Sequence, residues 1–155
     1  MDSELKTNTD NYTIKNLEQI EALWTKTYNT AGKPDWSHII PYYAEDMAFR
    51  DSIQSISGKK EFTAMTERLS ARSKDLKMAV VNGTKEGPVI FIEWEMTISF
   101  KKRPSSVIYG ASRLTLNEAG KIAFQRDYYD LWGDIFDNIP RFNKMYRRFM
   151  HRKFG

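Results

Sequence analysis

Between Val89 and Phe100 apolar and polar side chains alternate: Ile92, Trp94, Met96, Ile98 and Phe100 on one side, Glu93, Glu95, Thr97 and Ser99 on the other. A period of two places all the apolar groups on one face of an extended chain, whereas on a helix they would spiral around the axis. The chain before Asp75 is patterned differently. Leu17, Ile20, Leu23, Trp24 and Tyr28 recur at helical spacing and predict an amphipathic helix that Gly32-Lys33-Pro34 ends. Asp35 is placed to cap a second helix, Trp36 to Tyr43, leading through Ala44-Glu45-Asp46 into a short extended piece, Met47 to Ser52. Ser57-Gly58 opens a third helix with Phe62, Met65, Thr66 and Leu69 on its apolar face, and Ala71-Arg72-Ser73 closes it.

Four strands are predicted after Asp75: Leu76 to Val81, Val89 to Phe100, Val107 to Leu116 and Ile122 to Leu131. Their turns fall at Asn82-Gly83 with Glu86-Gly87-Pro88, at Lys101 to Ser105, and at Asn117 to Gly120, which makes an antiparallel meander. A last amphipathic helix begins near Asp134 or after Pro140. Helices followed by a run of antiparallel strands imply an α+β domain, with about three N-terminal helices packed in a curved sheet and a basic helix at the C-terminal end. Such a sheet crossed by helices encloses a cone-shaped cavity, a natural place for a ligand. The 155 residues read as one domain, its core about 16–133 and its basic helix about 134–153. A chain of this length buries roughly 68–70% of its unfolded surface and needs no disulfide or structural metal.

The chain has no cysteine, which removes thiol nucleophiles and thiolate ligands, and only two histidines, His38 and His151. No metal site and no cofactor is expected. The polar run Met1 to Asn11 lacks the apolar stretch of a secretory signal, and no segment approaches the ~20 apolar residues of a membrane span. A soluble, cytoplasmic protein is expected. The net charge is +4, but Arg141, Lys144, Arg147, Arg148, Arg152 and Lys153 lie in a terminal stretch without an acid; removing those six charges leaves −2. Basicity therefore belongs to the tail.

The segment Tyr43-Ala44-Glu45-Asp46-Met47-Ala48-Phe49-Arg50-Asp51, then Ser57-Gly58 before a helix, then Gly120-Lys121-Ile122 leading into Arg126-Asp127-Tyr128-Tyr129-Asp130, resembles the nuclear transport factor 2-like superfamily. Within it the sequence is similar to the SnoaL-like group, related to limonene epoxide hydrolase and ketosteroid isomerase, over roughly residues 16–133. The resemblance implies a cystatin-like cone of three helices wrapped by a curved sheet, and a homodimer through the sheet's outer face. It implies no single reaction. Set against limonene epoxide hydrolase, Asp127 matches a pocket aspartate. Trp94 and Met96 stand where that hydrolase has its arginine and second aspartate, and Phe49 and Asp51 stand at its tyrosine and asparagine. The water-activating pair is therefore incomplete. Set against ketosteroid isomerase, Asp51 stands at the general base, with Trp24 and Ser112 at the two oxyanion donors.

Strand alternation that points Asp127 inward carries Gln125 and Tyr129 with it and sends Phe124, Arg126, Tyr128 and Asp130 outward. Buried among Trp24, Trp94, Met96 and Tyr129, Asp127 is expected to have a raised pKa and to shuttle a proton; the alternative is a structural carboxylate bonded to Gln125, Tyr129 or a backbone amide. Asp51 is the reserve base or, alternatively, a turn aspartate. Arg126 and Asp130 are expected in outward ion pairs with Arg113, Glu93 and Glu95. His38 is read as a surface or satisfied residue.

In the tail, Ile139, Phe142, Met145, Tyr146, Phe149 and Met150 form one apolar arc, expected to dock over the cone or sheet with its charges in water. Nucleic acid or a membrane surface is not expected as a partner, this helix being the only segment suited to either. The sequence thus points to a pocket for an apolar ligand, with Asp127 and Asp51 as catalytic candidates and Trp24, Phe49, Trp94, Met96, Ser112, Gln125 and Tyr129 as ligand-binding residues. Isomerase, cyclase or hydrolase-like chemistry and a non-catalytic dimeric binding or adaptor module, its basic tail contacting an acidic partner, are the two alternatives. An open cavity on which at least two polar groups besides Asp127 converge favours chemistry; one filled by Trp94 and Met96 excludes it.

Overall fold

The structure is a computed structural model that describes residues 12–100 and 105–155. Met1 to Asn11 and most of the Lys101–Ser105 turn lie outside the described residues. Helix α1 (Leu17–Tyr28) starts where the Asn16 side chain accepts from the Gln19 amide, satisfying one of the N–H groups that a helix start leaves unbonded. Its buried face carries Ile20, Trp24, Thr27 and Tyr28. Just past its end Asn29 grips strand β3 (Ser73–Glu86) in both directions. Asn29 Nδ2 donates to the Met78 carbonyl at 2.7 Å, and Asn29 Oδ1 accepts from the Met78 amide at 3.3 Å.

The second helix expected over Trp36 to Tyr43 does not form. That stretch makes turns and a short 3₁₀ turn, Ile40–Tyr42, and Tyr43 already opens strand β1 (Tyr43–Arg50). Pro41 supplies no amide hydrogen to a helix, and Trp36 packs edge-on against Tyr28 with ring centroids 5.2 Å apart. Strand β2 (Ser55–Ser57) follows, then helix α2 (Lys59–Arg72), whose Phe62 and Thr66 are buried.

Strands β4 (Val89–Phe100), β5 (Ser106–Leu116) and β6 (Ile122–Tyr129) complete a six-stranded sheet in the order β2-β1-β6-β5-β4-β3. From β3 to β6 it is the expected antiparallel meander, but β1 joins β6 in parallel, so the sheet is mixed. The meander's first turn falls at the Glu86-Gly87-Pro88 part of the expected stretch and not at Asn82-Gly83. Strand β3 runs through Asn82-Gly83 with a register shift between Val80 and Asn82, and the chain reverses at Gly87, whose φ is 54°. Gly83 serves close approach: a Cβ there would stand 2.8 Å from Leu17 Cδ1 and from Glu21 Oε1 of α1. The sheet is curved, and its apolar face packs with the helices around one hydrophobic core.

Beyond β6 the chain makes two short turns, Leu131–Ile135 and Phe136–Asn138, and helix α3 (Phe142–Phe154) begins after Pro140, not at Asp134. It buries no residue: Met145 is 63% exposed, Phe149 54% and Phe154 78%. The stripe expected to dock over the cone or sheet is covered in part: Phe142 and Tyr146, half-buried, stack on Trp132 at 5.8 and 5.9 Å, while Met145 and Phe149 stay exposed. The expected outward ion pairs are also absent among the described residues. Arg126 lies 5.0 Å from the Tyr128 ring centroid, and Asp130 accepts from the amides of Trp132 and Gly133. No described helix is long and apolar enough to cross a membrane.

Candidate functional site

The register of the sheet lines up the inward-facing residues in rows. Trp94 lies opposite Gly110, which lies opposite Tyr129; in the next row Ile92 faces Ser112 and Ser112 faces Asp127; in the third, Ile90 faces Leu114, Leu114 faces Gln125 and Gln125 faces Phe49. From these rows Trp94, Tyr129, Ser112, Asp127, Gln125 and Phe49 line one wall of a cavity of about 330 Å³. Trp24 and Tyr28 of α1 and Phe62, Met65 and Leu69 of α2 face it. Every candidate ligand-binding residue read from the sequence lines it, as do Asp127 and Asp51. Trp94 and Met96 line the space without filling it.

A single hydrogen-bonded chain links all three rows. Trp94 Nε1 donates to Ser112 Oγ at 2.9 Å, and Ser112 Oγ donates to Asp127 Oδ1 at 2.6 Å. Gln125 Nε2 donates to the same oxygen at 2.9 Å, and Tyr43 OH donates to Gln125 Oε1 at 2.5 Å. The Trp94 indole fits because Gly110 stands opposite it. A Cβ on Gly110 would lie 2.6 Å from Trp94 Cζ2 and 2.7 Å from the Tyr128 carbonyl. Tyr43 and Gly110 were not singled out from the sequence, and the signal for Gly110 was available: a glycine opposite a tryptophan in an antiparallel pair.

Asp127 is half-buried at the cavity, and its pKa is pushed up to about 6. Burial is the main cause; the Ser112 and Gln125 donors pull it down, and the Asp51 charge raises it further. Both donors converge on Oδ1, and among the described residues none bonds to Oδ2. Burial likewise drives the Tyr43 and Tyr28 phenols above their ordinary range, which keeps Tyr43 the donor its bond to Gln125 requires. Asp51 is engaged differently. Its Oδ1 accepts from the amides of Ile53 and Gln54, both at 2.8 Å, which fits the turn-aspartate alternative, and its Oδ2 accepts from Tyr129 OH at 3.2 Å. Burial, then Asp51, raises the Tyr129 phenol.

One polar atom in this wall is left over. Trp24 Nε1 is buried and has no hydrogen-bond partner among the described residues, although a buried N–H normally finds one. Ser112, by contrast, spends its proton on Asp127, so of the two expected oxyanion donors only Trp24 has a hydrogen to give. His38 does not line the cavity; its Nε2 lies 3.0 Å from Oγ1 of Thr27, which does. Among the described residues no group of three or more histidines, cysteines or carboxylates could hold a metal ion.

A wall of this kind, on a helix-crossed curved sheet, defines a class of pocket protein. The SnoaL-like domain model matches residues 14–125, and the chain belongs to that family within the nuclear transport factor 2-like superfamily. Solved structures share the fold. A candidate SnoaL-like polyketide cyclase from Jannaschia sp. CCS1 is 18% identical, with 91% of this chain and 99% of that one covered and a TM-score of 0.65. An LEH-like epoxide hydrolase from M. tuberculosis is 15% identical over 84% of this chain and 93% of that one, with a TM-score of 0.64. A protein of ketosteroid isomerase-like fold from Catenulispora acidiphila DSM 44928, in complex with trimethylamine, is 17% identical over 75% and 88%, also with a TM-score of 0.64. No curated protein matches significantly. At these identities the structures establish the fold, and the chemistry rests on this chain's own residues.

Proposed function

We propose that the cavity binds an apolar, oxygen-bearing small molecule and that Asp127 transfers a proton on it. The observation that carries this reading is the pairing, in one open cavity, of an unbonded carboxylate oxygen with the unpartnered Trp24 N–H. Trp24 Nε1 donates to the ligand's carbonyl oxygen. Asp127 Oδ2 takes a proton from the adjacent carbon, the oxygen accepts the electron pair as an enolate, and the proton returns to the same or a neighbouring carbon. A carboxyl with a pKa near 6 is ionised for the most part at neutral pH, yet basic enough for the task. Ser112 and Gln125 hold the carboxylate in place, and the Tyr129–Asp51 pair supplies a second polar point.

Deuterium exchange of the protons flanking the carbonyl of 2-decanone, followed by NMR, tests this. Exchange above the buffer rate, lost by a factor of ~10² or more in Asp127→Asn, is the expected result. Exchange that survives the substitution refutes the role of Asp127; binding without exchange favours the adaptor alternative. On the outer sheet face Phe91, Val107, Tyr109 and Tyr128 are exposed, which supports a homodimer through that face, measurable by sedimentation.

A further inference from the structure

The cavity carries two charges for which the chemistry above has no use. Arg68 and Arg72 are exposed and still line the cavity, so they stand at its rim. At positions i and i+4 of α2 they are neighbours on one helical face. Attraction to the helix C-terminus accounts for an arginine in the last turn, which covers Arg72 but not Arg68, a turn earlier. Neither guanidinium forms an ion pair with a carboxylate among the described residues. The cavity's own acids are occupied elsewhere: Asp127 by Ser112 and Gln125, Asp51 by two backbone amides and Tyr129.

Helix α2 also sets a scale. Its buried Phe62 packs on the Tyr43 ring at 4.8 Å, and Tyr43 donates to Gln125, so this end of the helix adjoins the Asp127 network. Arg68 and Arg72 come six and ten residues later, about 9 and 15 Å along the axis at 1.5 Å per residue. Between the two ends Met65 and Leu69 present apolar side chains to the cavity. The wall therefore offers, in order, a proton-transfer group with a free N–H donor, an apolar stretch, and a pair of cations.

We propose that the ligand is an amphipathic carboxylic acid, its carbonyl held deep beside Asp127 and Trp24, its apolar chain along α2, and its carboxylate at the rim on Arg68 and Arg72. Planar guanidinium groups suit a carboxylate because they offer paired N–H donors. The inference rests on the proposed function above and adds the class of substrate.

The test uses 9-oxodecanoate, its methyl ester and 2-decanone, titrated by calorimetry against the wild-type chain and the double variant Arg68→Gln/Arg72→Gln. The acid is expected to bind wild type about two- to fivefold more tightly than the ester, the range an exposed ion pair supplies. That advantage should shrink as salt rises from 50 to 500 mM and vanish in the double variant, with the ester's affinity unchanged. Equal affinity for acid and ester in wild type overturns the carboxylate assignment and leaves the pocket reading standing. So does an equal loss for both ligands in the double variant. If none of the three compounds binds, the pocket reading falls and the inference with it.

Discussion

The cavity wall and the C-terminal helix are built from similar material and end differently. Both are amphipathic, both are rich in aromatic residues, and each places its apolar groups on one face. Yet Trp94 is 3% exposed and has its N–H satisfied, while Phe149 on α3 lies largely in solvent. What separates them is register. Trp94 has Gly110 and Ser112 placed beside it by strand pairing, one yielding room and the other an acceptor. Among the described residues nothing buries Met145 or Phe149 of the α3 stripe. A hydrophobic period reports which face is apolar; only tertiary pairing determines whether that face is covered.

The largest expected effect comes from breaking the register on the cavity side. Gly110→Val would drive a side chain into the Trp94 ring on one side and into the Tyr128 carbonyl on the other, and backbone cannot move aside as a flexible side-chain tip can. A loss of about 3 kcal/mol, at the upper end for overpacking, is expected in urea unfolding. A loss under about 1 kcal/mol would mean that Trp94 has another rotamer available and that the Trp94–Ser112–Asp127 chain is not rigid.

Asp127→Asn sharpens the same contrast through charge. The asparagine carbonyl can still accept from Ser112 and Gln125, while the buried negative charge disappears. Because the folded pKa of about 6 lies above the carboxyl's ordinary 3.8, the native state binds more protons than the unfolded state between those values. Stability from this residue is therefore present below pH 4 and falls as pH rises to about 6, after which the loss is constant. The variant is expected to be more stable than wild type by about 2 kcal/mol at pH 8, with the gain gone at pH 4, as thermal unfolding at the two pH values would show. A gain independent of pH would contradict the burial of the charge. With exchange activity abolished as well, the residue would carry the signature of a group held against stability for function.

Ser112→Ala acts one bond away and should have a smaller effect. It removes the acceptor of a buried indole N–H and one of the two donors to Asp127. About 1–2 kcal/mol of stability should be lost, and the Asp127 pKa should rise further, because a donor that favours the ionised form has gone. Carbon-13 NMR titration of the Asp127 carboxyl reads the second effect; a fall in pKa would show that Ser112 does not donate to it.

Legibility of these features in the sequence follows the same division. The alternation over Val89–Phe100 and the parity from Gln125 to Tyr129 were readable, because a period of two leaves only two faces to choose between. The raised pKa of Asp127 followed from its apolar company. The Trp36–Tyr43 segment was misread because Ile39, Ile40 and Tyr43 suit a helix turn as well as a buried 3₁₀ connection, and Pro41 settles the matter only once Tyr43 joins the sheet. Asn82-Gly83 carries the composition of a hairpin turn, but its glycine is explained by the proximity of α1, a tertiary contact that no local signal encodes. Orphaned Trp24 Nε1 belongs to the same category, since a missing partner shows only when every neighbour is in place.

The smallest expected effect tests the other side of the comparison. Phe149→Ser replaces an aromatic ring that lies largely in solvent, so the transfer term that makes core truncations costly is mostly absent. The stability change should stay within about 0.5 kcal/mol, the usual range for surface positions. Urea unfolding at two protein concentrations makes the test informative, because a ring covered by a second copy would show a loss that grows with concentration. A concentration-dependent loss above about 1 kcal/mol would mean that α3 is covered in solution and that the contrast with Trp94 holds only for the single chain. No loss at either concentration would leave α3 an apolar face that adds nothing to the stability of the cone.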